Sequence, residues 1–293
     1  MTLRPLLLLP FSLPFLTGCG PGAAPPDTEL SLPLEPEAVR SPFDLAVEPE
    51  TGRLAVSDRT AGRLYLDPAP GEVLREVALQ GSPRGVAWRN GSTLAVAEYD
   101  AGTVAEVNAD TGRVIRRIPV GPKPVGVAYQ GNRLAVAEYG QGQLWILNAD
   151  TGTPLFSVQL APQPFFCAYH PRGREVAVAH LIPEVAATRT DAAALISFVD
   201  PLRGEVLQEV RLPYGSSNVR KLTFSPDGRW LYVLHTLGRT SLPTTQLDRG
   251  WINTNALSIL DVDEHRMEAT LLLDKVTLGA ADPWGLALSP GGD

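Results

Sequence analysis

Short apolar runs recur along this chain, separated by polar breaks rich in Gly and Pro. Leu54-Ala55-Val56, Leu94-Ala95-Val96, Leu134-Ala135-Val136, Val176-Ala177-Val178 and Leu231-Tyr232-Val233 are five versions of one strand core. Ahead of each stands a second run, such as Ser82-Pro83-Arg84-Gly85-Val86-Ala87-Trp88 or Lys123-Pro124-Val125-Gly126-Val127-Ala128-Tyr129. Runs this short, alternating and bounded by turn residues, predict strands. The 3.6-residue spacing that stacked helix pairs would need is absent.

Self-similarity sets the architecture. The anchors Pro42, Pro83, Pro124, Pro164, Val219 and Pro283 are 41, 41, 40, 55 and 64 residues apart. A period of about 40–45 residues is that of a four-stranded propeller blade. Within each repeat the run after the anchor is an inner strand, and a hairpin turn such as Pro226-Asp227-Gly228 leads to the second. The third strand ends in a turn like Asn148-Ala149-Asp150-Thr151-Gly152, a copy of Asn108-Ala109-Asp110-Thr111-Gly112, and a fourth strand closes the unit. The expected fold is therefore all-β, a β-propeller of four-stranded antiparallel blades. Five repeats are complete and a sixth begins at Pro283, so a truncated seven-bladed ring is expected, with residues 29–34 reading as an isolated fourth strand.

At these residues the chain resembles the YVTN family of bacterial β-propellers. Repeats of that family end a strand in a Val-Ala-Asn-like step and turn on Asp-Thr-Ala-Thr-Gly. The resemblance covers residues 30–293 and is specific for fold. For activity it is weak, because the family spans surface, periplasmic and redox-associated proteins.

The first residues read as an address. Residues 1–18 form a short export signal with one charge, Arg4, broken by Pro10 and Pro14 and too short to span a bilayer. It ends in Leu16-Thr17-Gly18-Cys19, which resembles a bacterial lipobox, so Cys19 is the expected lipidation site. Residues 19–28 are then a tether and 29–293 the propeller. Gly20 after that Cys leans toward the outer membrane, which places the chain in a bacterial cell envelope, lipid-anchored on the periplasmic or outer-membrane side. An ordinary secretory signal with an incidental Cys is the other reading.

Composition removes several classes. The 293 residues are 44% hydrophobic and 19% charged with a net charge of −7, which excludes disorder and speaks against nucleic acid as a partner. Of two Cys, Cys167 lies in an apolar strand and reads as a buried, inert thiol. No Cys-x-x-Cys-His occurs, so the chain attaches no haem, and phosphate-binding loops, His-Glu-x-x-His and Gly-x-Ser-x-Gly are absent too.

Candidate chemistry comes from the repeat. One equivalent position, at the end of the second strand, holds Asp58, Glu98, Glu138, His180 and His235, where the family usually has Asn. Equivalent positions lie on a ring about the axis. Three carboxylates and two imidazoles would then converge at one channel mouth, suited to a divalent metal or to acid–base work. Alternatively each merely caps its strand. The two long repeats carry their extra residues directly after His180 and His235, and the second insertion contains Arg239, Arg249 and Trp251. With the two His they form a candidate ligand- or partner-binding wall. The insertion resembles loops of propellers attached to c-type haem domains, which implies a cytochrome-like partner. Two functions compete: a binding module accessory to an electron-transfer system, and a periplasmic enzyme of the lactonase or quinoprotein-subunit type.

Overall fold

The computed structural model describes residues 40–67, 74–238, 253–275, 282–289 and 291. The signal, the tether, Cys19, residues 29–34 and the insertion bearing Arg239, Arg249 and Trp251 lie outside the described residues.

Twenty strands form five four-stranded antiparallel sheets, each made of four consecutive strands, and there is no helix among the described residues. Blade 1 holds β1 (Pro42–Val47), β2 (Leu54–Asp58), β3 (Arg63–Leu66) and β4 (Arg75–Ala78). Blade 2 holds β5 (Pro83–Asn90), β6 (Thr93–Glu98), β7 (Thr103–Asn108) and β8 (Arg113–Pro119). Blade 3 holds β9 (Pro124–Gln130), β10 (Arg133–Glu138), β11 (Gln143–Asn148) and β12 (Pro154–Gln159). Blade 4 holds β13 (Pro164–Tyr169), β14 (Val176–His180), β15 (Leu195–Asp200) and β16 (Glu205–Arg211). Blade 5 holds β17 (Ser216–Phe224), β18 (Trp230–Gly238), β19 (Asn253–Asp261) and β20 (Arg266–Leu272). The propeller architecture read from the repeat is the one observed.

Each blade buries its apolar face on the blade before it. Val86 packs onto Ala55, Leu64 and Leu66 of blade 1, and Val127 onto Ala97 and Val104 of blade 2. Cys167 joins Ala135 and Leu144 of blade 3, and Leu222 and Phe224 join Ile196 and Phe198 of blade 4. Val86, Val127, Cys167 and Leu222 are at most 6% exposed, whereas Leu45, their counterpart in blade 1, is 53% exposed. On blade 5, Leu257 and Ile259 are half-buried where blade 4 has the fully buried Ile196 and Phe198. Among the described residues, these two faces lack the neighbour every other blade face has. Residues 282–287 lie at the inner edge of that sector, where the Trp284 indole N–H donates to the Phe43 carbonyl at 2.8 Å.

The Pro-x-Gly-Val-Ala motif has a steric cause. Inner strands approach most closely near the axis, and a Cβ on Gly85 would sit 2.4 Å from the Val125 carbonyl oxygen. In the same way a Cβ on Gly126 would meet the Phe165 carbonyl at 2.7 Å. Blades 1, 4 and 5 place Asp44, Phe166 and Lys221 at this position. Lys221 Nζ pairs with Asp44 Oδ1 at 2.9 Å and sits 4.4 Å from the Phe166 ring centroid, so a half-buried ion pair and an aromatic ring stand where two other blades have glycine.

On the opposite end, arms from one blade hold the turn of the next. Arg53 donates to the Gly91 carbonyl at 2.8 Å and to Asp110 at 2.7 Å, and Arg75 to the Ala109 carbonyl. Arg89 and Arg116 repeat this on the Ala149 carbonyl. Between blades 4 and 5, Arg174 reaches Asp263 at 2.7 Å and the His265 ring donates to Glu175 at 2.6 Å.

Candidate functional site

The five predicted site residues do stand at equivalent places. Asp58, Glu98, Glu138 and His180 each lie across from the anchor proline of their blade: Pro42, Pro83, Pro124 and Pro164. His235 occupies the matching point of β18. All five are at most 1% exposed, and each bonds locally. Asp58 Oδ1 accepts from the backbone N–H groups of Ser41 (3.1 Å), Thr60 (3.0 Å) and Ala61 (2.9 Å). Glu98 accepts from the Gln80 N–H at 2.7 Å, the Thr103 hydroxyl at 2.6 Å and Arg117 Nε at 2.9 Å. Glu138 accepts from the Gln141 N–H at 3.0 Å, and burial pushes its carboxyl pKa up.

The two imidazoles share one device. His180 Nδ1 lies 3.0 Å from the Pro162 carbonyl oxygen and Nε2 lies 2.9 Å from Ser197 Oγ. His235 repeats it with the Thr236 carbonyl at 3.1 Å and Ser258 Oγ at 2.8 Å. A carbonyl can only accept, so Nδ1 carries the proton and Nε2 is the acceptor facing the serine hydroxyl; at Ser197 the 2.9 Å contact to that nitrogen is shorter than the 3.4 Å one to Glu209 Oε1. Burial pulls both imidazole pKa values down and keeps them neutral.

These residues therefore form a belt of blade-internal locks, and the structure does not bring them together as a metal centre. Among the described residues, no three of His, Cys, Asp and Glu are placed to hold a metal ion. The physical reason is orientation: the carboxylates turn onto backbone N–H groups of adjoining turns and linkers, and the imidazoles onto a carbonyl and a serine hydroxyl. His180 and His235 also present no free nitrogen to a ligand. Arg239, Arg249 and Trp251, their proposed companions, lie outside the described residues. Cys167 is buried with its thiol pKa pushed up to about 12, the inert state its strand context implies.

What reaches the channel mouth lies one residue further on. Arg59, Tyr99, Tyr139 and Leu181 directly follow the belt residues, in the turns just past the ends of β2, β6, β10 and β14. They meet the residue after each anchor proline: Phe43, Arg84 and Phe165. That residue falls where the register between first and second strands shifts, a bulge that re-aims its side chain. With Asn218, Arg220 and Trp284 these groups line a cleft of about 290 Å³.

The wall is aromatic and the charge on it cationic. Ring centroids run from Tyr99 to Tyr139 (6.5 Å), to Phe165 (6.5 Å), to Phe43 (6.1 Å) and to Trp284 (5.3 Å). The Arg84 guanidinium carbon lies 4.8 Å from the Phe43 centroid and 4.5 Å from that of Tyr99. Its Nε is buried without a hydrogen-bond partner. Burial first, and the charge of Arg59 next, lower its pKa. Arg220 stacks on Trp284 at 4.5 Å and pairs with Asp282, while Lys123 Nζ lies 5.9 Å from the Tyr99 centroid. Lys123 and Asn218 hold φ values of 60° and 53°, left-handed conformations that L-residues adopt at some cost, and such strain concentrates at functional sites. Sequence reasoning missed this wall. Its signal was present in the repeat, as aromatic and basic residues next to both the belt and the anchor positions.

No protein-family model matches the chain. Over 97 residues, 33% of its length, it is 30% identical to hydrazine synthase subunit beta of Kuenenia stuttgartiensis, and the match spans a quarter of that relative. Among solved structures, Kuenenia stuttgartiensis hydrazine synthase superposes with a TM-score of 0.77 at 23% identity, covering 86% of this chain and 71% of that one. At this identity the structural likeness establishes the fold alone.

Proposed function

We propose that this chain is a non-catalytic β-propeller subunit of a multi-component redox enzyme, held in a bacterial envelope by a lipid on Cys19, with a protein such as a c-type cytochrome domain docking on its channel mouth. The aromatic and cationic wall around Arg84 carries this reading. Large rings beside arginine are the side chains that dominate binding energy at protein interfaces, and a cationic mouth suits an acidic partner surface. The local match to a subunit of hydrazine synthase supports membership of an assembly. The lipobox resemblance at Leu16-Thr17-Gly18-Cys19 supports the anchor. The enzymatic reading is the less favoured one, since the carboxylates and imidazoles it needs are buried and hydrogen-bonded to neighbouring backbone and side chains.

In the same reading, the uncovered faces of blades 1 and 5 take further blade strands that complete the ring. Leu45 and Val47 are over half exposed and have the size and position of residues that are core elsewhere.

Docking is tested by titrating the full-length protein with an acidic mono-haem c-type cytochrome in a calorimeter at low and high salt. A complex whose affinity falls with salt is expected. No heat and no co-elution at either salt would end the proposal.

A further inference from the structure

We propose that the cleft at the channel mouth is an oxyanion site built on Arg84, and that it takes a carboxylate carried on a flat, apolar body. The geometry of Arg84 is the first reason. Its guanidinium carbon lies 4.8 Å from the Phe43 centroid and 4.5 Å from that of Tyr99, so two aromatic rings pack against the group and confine it at the cleft. An arginine held this way presents parallel N–H donors to a two-oxygen acceptor, the geometry a carboxylate matches.

The second reason is an unmet demand. Arg84 takes part in no ion pair among the described residues, and its Nε is buried without a partner. A buried polar group in that state is costly and calls for an acceptor. Three nearby acids are engaged elsewhere, Asp44 with Lys221, Asp282 with Arg220 and Asp58 with backbone N–H groups, while Asp100 favours the Arg84 charge from a distance without forming an ion pair with it. Arg59 adds a second positive charge close enough to disfavour that of Arg84, and an anion between them relieves the repulsion. The third reason is the wall. Tyr139, Phe165 and Trp284 offer ring surface to an apolar body, which a strongly hydrated phosphate could not use.

A carboxylate of this kind has two sources, a free organic acid or an acidic side chain beside an aromatic one on a partner segment. Neither requires a cytochrome to dock, so loss of docking and loss of carboxylate binding are read separately. The test is calorimetry, with Trp fluorescence in parallel, on the full-length protein against benzoate, inorganic phosphate and a short peptide containing Asp-Phe. Saturable benzoate binding is expected, weakened about tenfold in Arg84→Met and less in Arg84→Lys, which keeps charge but not the paired edge. Peptide binding with the same Arg84 dependence, without benzoate binding, supports the site and assigns it to a partner segment. Should Arg84→Met fail to fold, Arg84→Lys and Tyr99→Leu carry the comparison. Phosphate binding tighter than benzoate, no saturable binding of any probe, or equal affinity in the Arg84 variants would overturn the proposal.

Discussion

Two neighbouring sets of residues, one step apart where the second strands run into their turns, do opposite work. The belt residues Asp58, Glu98, Glu138, His180 and His235 are titratable and buried, and each spends its polar atoms on adjoining strands, turns and linkers. The residues that follow, Arg59, Tyr99, Tyr139 and Leu181, are partly or fully exposed and shape the mouth. A single step along the chain, from strand end to turn, separates structure from surface here. Groups that look most chemical in the sequence hold the scaffold, and plainer aromatic and basic ones meet the outside.

This contrast can be broken by substitution. Replacing His180 with Ala removes a buried ring and strands the Ser197 hydroxyl and Pro162 carbonyl, so a loss of about 3 kcal/mol in unfolding free energy is expected by urea titration. Glu98→Ala leaves the Gln80 N–H, the Thr103 hydroxyl and Arg117 without their acceptor, at a cost of about 2 kcal/mol in the same assay. By contrast Arg59→Ala, on the exposed side of the next residue, should stay within about 0.5 kcal/mol of the parent. Equal losses in the two sets would erase the distinction.

Acid titration sharpens it. The folded imidazole pKa values of His180 and His235 are depressed below the ordinary 6.5, so the unfolded chain binds more protons in that window. Stability should accordingly fall as pH drops from 6.5 toward the folded values. Glu138 has the opposite sign, since its raised pKa favours the folded state as pH falls toward 4.5. His180→Gln combined with His235→Gln should flatten the upper part of the acid limb, and an unchanged limb would place its cause elsewhere. The smallest effect concerns Cys167: in a Cys19→Ser background, a thiol reagent at pH 8 should label it only at the rate of unfolding, because the thiol is buried and its pKa is near 12.

The blades were legible because a repeat repeats its turns as well as its strands: Asn108-Ala109-Asp110 and Asn148-Ala149-Asp150 marked the same corner before any coordinates. The belt was legible as a set of equal heights. Its direction was not, because the facing of a strand end depends on the bulge opposite the anchor proline, and bulges leave little trace in spacing. Ser197 and Ser258, standing at the same point of the third strand in the two blades with imidazoles, were the readable hint that each His had a local partner. The central Asp44–Lys221 pair was also hidden, since the repeat lets Asp, Phe and Lys stand where glycine sets the motif.

The side-chain arms that pass from blade to blade, arginines from 1 to 2, 2 to 3 and 4 to 5 and Gln130 from 3 to 4, have a consequence for how the molecule comes apart. Each sheet is coupled chiefly to the sheets beside it, so opening resembles the melting of a short linear array, with a penalty at each junction broken. Blade 3 has a full junction on both sides, whereas blades 1 and 5 each present one face with no blade upon it among the described residues. Amide exchange should thus be graded, fastest in β1–β4 and β17–β20 and slowest in β9–β12. A partner that covered the outer faces would level that gradient without touching the blades in between.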